Sequence, residues 1–356
     1  MNALAQRIAA LIAAQGPISL AEFMTMALHD PVAGYYATRD PLGAAGDFIT
    51  APEISQMFGE FIGLWLAQVW HDQGKPQRPL LVELGPGRGT LTADALRALK
   101  LMPEFRAALE LVLVETSPVL RKVQDETLRA SGVAPRWVEN FDASLADRPL
   151  FLIANEFFDA LPIRQYVKTE RGWCERTVTL NSAGALAFAL APAPLPAALV
   201  PANRDGAPPG GVYEVSLAGE ALCEDIAHTI ARHGGGALIV DYGYDAAGFA
   251  ETLQAVASHK FADVLADPGT SDLSAHVDFR ALAAAARRGG ASACGPLEQG
   301  EFLTALGIVE RAERLSGNHL QDMTEQLDRL VKPEQMGTLF KALAIVPQNA
   351  PPPPGF

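Results

Sequence analysis

Leu80-Leu81-Val82-Glu83-Leu84-Gly85-Pro86-Gly87-Arg88-Gly89-Thr90 decides the fold of this 356-residue chain. A short apolar run enters three closely spaced glycines, and Leu91–Lys100 follows at helical spacing. A buried strand turning through glycines into a helix is the opening unit of a nucleotide-type α/β sheet. Glycines let the chain turn tightly and let backbone amides approach a ligand that a Cβ would displace. The spacing is GxGxG, not the GxGxxG that seats a pyrophosphate at a helix N-terminus. Glu83, two places before the first glycine, would repel a pyrophosphate and attract an ammonium. The segment therefore predicts S-adenosylmethionine as cofactor, with Glu83, Gly85, Pro86, Gly87 and Gly89 as contacts. A purely structural strand–turn–helix is the bland alternative.

Outward from this segment, short apolar runs alternate with helical stretches, the mark of a parallel sheet covered on both faces. Further strands are expected at Leu111–Glu115, Arg136–Val138, Phe151–Ala154 and Ala237–Asp241, with a helix over Pro118–Ser131 capped by Ser117. Ala291–Cys294 and Lys341–Val346 are expected to close the sheet as an antiparallel pair. Residues 1–75 read as a helical N-terminal region that includes Ile54–Gln73. Residues 76–163 and 235–348 read as the sheet domain. Residues 164–234 read as an insertion, an antiparallel meander followed by the helix Leu217–His233. The Pro-rich residues 349–356 are expected to be an unstructured or polyproline tail.

Composition narrows the function classes. Hydrophobic residues make up 49% and charged residues 19%, as in a packed globular protein. A net charge of −13 with no Lys/Arg cluster opposes a nucleic-acid partner, which needs a basic face. No apolar run reaches the roughly 18 residues a membrane helix needs. Cys174, Cys223 and Cys294 lie far apart, and the histidines lack ligand spacing, so neither a disulfide framework nor a metal site is expected. The N-terminus reads as an amphipathic helix of the mature chain, and a cytoplasmic location is expected.

Two more segments carry candidate chemistry. Glu115, 26 residues after Gly89 at a strand end, is placed to accept ribose hydroxyls, although it would serve a dinucleotide equally well. Asn155-Glu156-Phe157-Phe158-Asp159 follows the fourth strand, where the crevice of an open α/β sheet lies. Its carboxylates suit a cationic or nitrogen acceptor, so Asn155, Glu156 and Asp159 are the candidate catalytic residues. The bland alternative is that Glu156 and Asp159 cap the next helix. The loop Gly46–Glu53 is expected to fold over the cofactor, with Thr50 as a contact; a helix cap at Thr50 is equally compatible.

GDFITAPEISQMFGE, LVELGPGRGTL, LVETSP, ANEFFDALP, DYG, DLSAHVDF and GPLEQGEFL occur in this order between Gly46 and Leu303, within a match that runs from about His29 to Lys341. Together they resemble the MidA-type family of class I methyltransferases, whose mitochondrial members are complex I assembly factors that methylate protein arginine. The resemblance implies a seven-stranded, Rossmann-like α/β sheet and S-adenosylmethionine as methyl donor. It further implies a protein substrate, by symmetric dimethylation of an arginine on the quinone-site subunit of respiratory NADH dehydrogenase. An NAD(P)-dependent oxidoreductase, a non-catalytic assembly factor that keeps the cofactor fold, and a small-molecule or nucleic-acid methyltransferase are the competing readings.

Overall fold

The computed structural model describes residues 1–38, 50–142, 145, 147–196, 199–200, 206–246, 248–257, 260–315 and 320–356. By contact the chain forms two compact units. One comprises Met1–Arg39, Ala160–Gly219 and Ala246–His276; the other comprises Asp40–Asp159, Glu220–Asp245 and Val277–Phe356. This grouping does not follow the expected boundaries. The first two helices join the 164–215 strands, whereas Gln56–Asp72 joins the sheet unit.

The larger unit is built on a path of seven strands, β1 (Leu80–Leu84), β2 (Glu110–Val114), β3 (Arg136–Val138), β4 (Leu150–Asn155), β5 (Gly235–Tyr244), β6 (Ser292–Glu298) and β7 (Phe340–Val346), with the two residues Val277–Asp278 paired parallel to the end of β5 off this path. Their order across the sheet is 3-2-1-4-5-7-6. The first five are parallel, and β7 runs antiparallel to both β5 and β6. This is the class I methyltransferase arrangement, and the two late strands do close the sheet as an antiparallel pair. Every residue of β1 and β7 is buried, which is why these strands read as continuous apolar runs and not as alternating ones. Helix α1 (Gln56–Asp72) lays Phe58, Ile62, Trp65, Leu66 and Val69 into the same core as Leu81, Phe151, Ile153 and Val240. The chain order reverses between β1 and β4. That switch point puts the carboxyl ends of these two neighbours, Leu84 and Asn155, beside one another.

The smaller unit has Gly172–Leu180 as its central strand, paired antiparallel with Arg164–Thr169, Leu186–Pro194 and the two residues Ile18–Ser19. The expected meander is therefore present, and its third strand runs to Pro194. Val212–Val215 extends the same sheet. Ser19 and Glu22 form a capping box that starts the helix Leu20–His29, whose Leu20, Phe23 and Leu28 pack with Ile8, Val178 and Leu273. A second sheet, with Gln254–Ala257 between Lys260–Ala262 and Asp272–Ser274, occupies a region read as loop. Strands of three or four residues with mixed polarity carry no period to read.

The tail also departs from expectation. Pro353 is buried, the Trp65 indole N–H donates to the Pro354 carbonyl at 3.0 Å, and the Phe356 ring lies 5.2 Å from Phe302. A buried indole needs an acceptor and an apolar ring needs cover. The last residues supply both, so the tail is a packed part of the larger unit.

Candidate active site

The glycine segment turns through three left-handed residues, Gly85 at φ 58°, Gly87 at φ 54° and Gly89 at φ 81°. Gly85 is tied to the end of β2 by its N–H to Val114 at 3.1 Å, and Gly89 closes the turn onto the Pro86 carbonyl at 2.8 Å. Gly89 then serves as N-cap of α2 (Thr90–Ala98). A Cβ at Gly85 would stand 2.8 Å from the Phe157 ring. That cradle is open only because glycine lines it.

Glu83 points into the fold, 3% exposed, and accepts a hydrogen bond from the Thr92 hydroxyl one turn into α2. Burial raises its pKa to about 7 against that hydrogen bond. Glu115, just beyond β2, is also buried and raised by burial. Its carboxylate accepts from the Ser117 N–H at 2.7 Å and the Gln124 amide at 3.1 Å. Gln124 was not singled out in the sequence. It is fully buried on α3 (Pro118–Leu128), where its amide also donates to the Gly87 carbonyl at 2.7 Å. The Trp137 indole holds its oxygen at 2.7 Å. Gln124 thus joins the glycine turn to the acid at the end of β2; nothing in a helical Gln announces this.

Asn155 ends β4, and its Oδ1 is buried without a hydrogen-bond partner among the described residues. Its amide donates to Glu156 Oε1 at 3.2 Å. Glu156 adopts φ 51°, a left-handed conformation that costs a side-chain-bearing residue of order 1–3 kcal/mol and collects at functional sites. The same Oε1 accepts from the Ala51 N–H at 3.2 Å. Ala51 opens the one-turn helix Ala51–Ile54, whose N-cap residue Thr50 makes no side-chain cap bond. Glu156 therefore does not cap the helix that follows it; it supplies an acceptor to a helix 105 residues earlier. Residues 39–49, including the first half of the expected lid loop Gly46–Glu53, lie outside the described residues.

The cap of the Phe157–Asp159 turn comes from Asp241, at the carboxyl end of β5 and 0% exposed. One Asp241 oxygen accepts from the N–H groups of Phe157, Phe158 and Asp159 at 3.1, 2.9 and 3.3 Å. The other accepts from the Tyr242 N–H at 2.9 Å. The Tyr242 hydroxyl donates to Asp159 at 2.5 Å. Asp241 and Tyr242, which the sequence marked only as the motif DYG, join Gln124 as site residues to which sequence reasoning gave no role. The available signal was an acid at a strand carboxyl end, the feature that drew attention to Glu115.

Three carboxyls share this small volume. Burial pushes Glu156 to about 7, and Asp159 pushes it the same way. Burial, then Asp159 and Glu156, push Asp241 well above the usual carboxylate range. Every Asp241 contact named above is an N–H donor, so this turn binds its charged form, and the cluster relieves the repulsion by keeping a proton elsewhere. Folded-state values above the unfolded 4.5 mean that Glu83 and Glu156 stabilise the fold fully below pH 4.5. That contribution is lost as pH rises through about 7. The variants Glu83→Gln and Glu156→Gln should therefore each gain stability relative to the wild type between pH 5 and 8. The gain should reach up to about 3 kcal/mol per carboxyl, at 1.4 kcal/mol per unit. Denaturant unfolding of the ligand-free protein at the two pH values measures this; a constant difference would mean that both carboxyls stay charged.

The comparisons agree with this geometry. The profile of the family described as "Putative S-adenosyl-L-methionine-dependent methyltransferase" matches residues 61–297. The chain is 37% identical to the zebrafish Danio rerio protein named "Protein arginine methyltransferase NDUFAF7, mitochondrial", over 96% of this chain and 86% of that one. It is 36% identical to the Homo sapiens protein of the same name, over 95% and 82%. A crystal structure from Burkholderia thailandensis bound to S-adenosyl-homocysteine superposes with a TM-score of 0.86 at 29% identity, over 99% of this chain and 94% of that one. The cytoplasmic location expected from the sequence does not stand, because the named relatives are mitochondrial proteins. The N-terminal helix Ala3–Gln15 owes its apolar stripe to core packing of Leu4, Ile8 and Ile12, which carries no address. With its glycine turn, its strand-end acids and its sheet order, the chain belongs to the S-adenosylmethionine-dependent methyltransferase family.

Proposed function

We propose that this methyltransferase acts on an arginine side chain of a protein, and that Glu156 and Asp159 form the clamp for its guanidinium. The observation that carries the reading is the carboxyl cluster beside the ends of β4 and β5, half-buried at Glu156 and buried at Asp159 and Asp241. Glu156 and Asp159 face each other's charge with Asp241 behind them. Carboxyls that burial and mutual repulsion push toward the protonated form are relieved by an arriving cation, and a planar guanidinium with five N–H donors satisfies several oxygens at once. The unpartnered Asn155 Oδ1 offers one further acceptor beside them.

The donor-side residues fit S-adenosylmethionine. The turn Gly85-Pro86-Gly87-Arg88-Gly89 keeps its three glycines in the left-handed region, and at Gly85 a Cβ would meet the Phe157 ring. Glu83 would hold the methionine ammonium, Glu115 the ribose hydroxyls, and Thr50 would contact the cofactor from the head of Ala51–Ile54. When bound, the cofactor supplies an electrophilic methyl that needs no further activation. What remains for the chain is orientation and exclusion of water, which can contribute up to about 7–11 kcal/mol. A guanidinium stays protonated, so Glu156 and Asp159 draw its charge toward two nitrogens and leave the third richer in electrons. As the acceptor's cation arrives, the proton held by the carboxyl cluster leaves to solvent.

As the family resemblance of the sequence implies, the acceptor we propose is an arginine on the quinone-site subunit of respiratory NADH dehydrogenase, and the product symmetric dimethylarginine. Labelled S-adenosylmethionine, the purified chain and that subunit test this. Mass spectrometry should place two labelled methyls on one arginine, one on each terminal nitrogen. Label on lysine, on a nucleobase or on a small molecule would end the arginine reading, and absence of any label on the subunit would end this choice of acceptor.

A further inference from the structure

We propose that Glu53 is a positioning residue, and that the helix Ala51–Ile54 is a strut coupling the donor loop to the acceptor carboxylate Glu156. Two hydrogen bonds define it. At one end, the Thr90 hydroxyl donates to Glu53 Oε1 at 2.5 Å. Thr90 is the first residue of α2, directly after the glycine turn. At the other end, the Ala51 N–H donates to Glu156 Oε1 at 3.2 Å.

Local physics makes this short helix dependent on both ends. Four residues are far too few for a helix to stand alone. The Glu53 and Ile54 N–H groups donate to the Thr50 carbonyl and Pro52 has no N–H, so the Ala51 N–H is the one that Thr50, without a side-chain cap bond, leaves to Glu156. Ala51 is fully buried and Pro52 is buried with it, so the turn moves as a unit seated in the core. The Glu53 side chain hydrogen-bonds the first residue of the glycine-loop helix, and the turn's first N–H holds the strained Glu156. A displacement of Thr90 is therefore passed to the group that holds Glu156 at φ 51°. Burial and then the Asp159 charge disfavour the Glu156 carboxylate, while Ala51, Asn155 and Arg329 favour it. Losing the Ala51 N–H tips that balance toward the protonated form.

The inference concerns Glu156 and the donor loop only, so it stands whether or not the acceptor is an arginine. The test needs no acceptor. Carboxyl carbon NMR of the full chain follows the titration of Glu156, assigned with Glu156→Gln. In the wild type, saturation with S-adenosyl-homocysteine should lower the midpoint by about half a unit or more, as the fixed Thr90 keeps the Ala51 N–H on the carboxylate. Glu53→Ala should raise the ligand-free midpoint by a similar amount and abolish the response to S-adenosyl-homocysteine. Glu53→Gln, whose amide oxygen still accepts from Thr90, should restore both. Thr90→Val should match Glu53→Ala, and the two together should do no more than either. An unchanged midpoint in Glu53→Ala and Thr90→Val, or a response that persists in both, would overturn the proposal, the second outcome showing a direct field from the ligand.

Discussion

Replacing Glu156 by Gln and Asp159 by Asn together is expected to lower turnover by about 10²–10⁴-fold while leaving the affinity for S-adenosyl-homocysteine within about threefold. The size follows from removing two hydrogen bonds to a charged group, each worth about 1.5–3 kcal/mol. A clamp that must localise charge away from one nitrogen loses its effect in the transition state, so kcat should fall and not KM alone. Glu156→Gln by itself should cost about 10–100-fold. Asp159→Asn should cost less, because the Tyr242 hydroxyl still finds an acceptor on the amide. The two effects should be less than additive, since the carboxyls share proton and repulsion and removing one relaxes the other. Steady-state kinetics with a labelled acceptor, beside calorimetry with S-adenosyl-homocysteine, separates the outcomes. Full activity in the double variant would remove these carboxyls from the reaction.

Which parts of this site the sequence disclosed follows from range. Everything within one strand–turn–helix was legible: Leu80–Leu84 and the glycines stand where periodicity and turn chemistry put them. Leu217–His233 was equally plain, because one amphipathic helix is a local pattern. The role of Glu156 was half legible. Its position after β4 marked it, but its partner is the Ala51 N–H, and no local rule pairs a carboxylate with a backbone group 105 residues away. Asp241 was hidden for the same reason: it looked like the last residue of an apolar strand, whereas three N–H groups of another strand's exit turn converge on it. The grouping of the N-terminal helices with the 164–215 strands hangs partly on a two-residue strand, Ile18–Ser19 against Val178 and Thr177, too short to leave a pattern.

Gly85→Ala is the smallest change expected to disable both halves of the site. Alanine at φ 58° costs roughly 1–2 kcal/mol in backbone strain alone. The added methyl would also stand 2.8 Å from the Phe157 ring, and overpacking of this kind costs about 1–3 kcal/mol. Phe157 has little freedom to give way, because its N–H and those of the next two residues are fixed to one buried oxygen of Asp241. The cheaper response is for the glycine turn to move, and the binding-competent turn then becomes a minor state. Apparent affinity falls in proportion to that population. Calorimetry should therefore show S-adenosyl-homocysteine binding weakened by about 30-fold to 10³-fold, with the far-UV spectrum of the fold retained. Gly132→Ala is the matched control: it shares the left-handed backbone, at φ 73°, but no atom lies within 4 Å of its added methyl. It should lose stability by about 1 kcal/mol and bind as the wild type does. Equal binding by both variants would mean that the contact between Gly85 and Phe157 does not govern the donor loop.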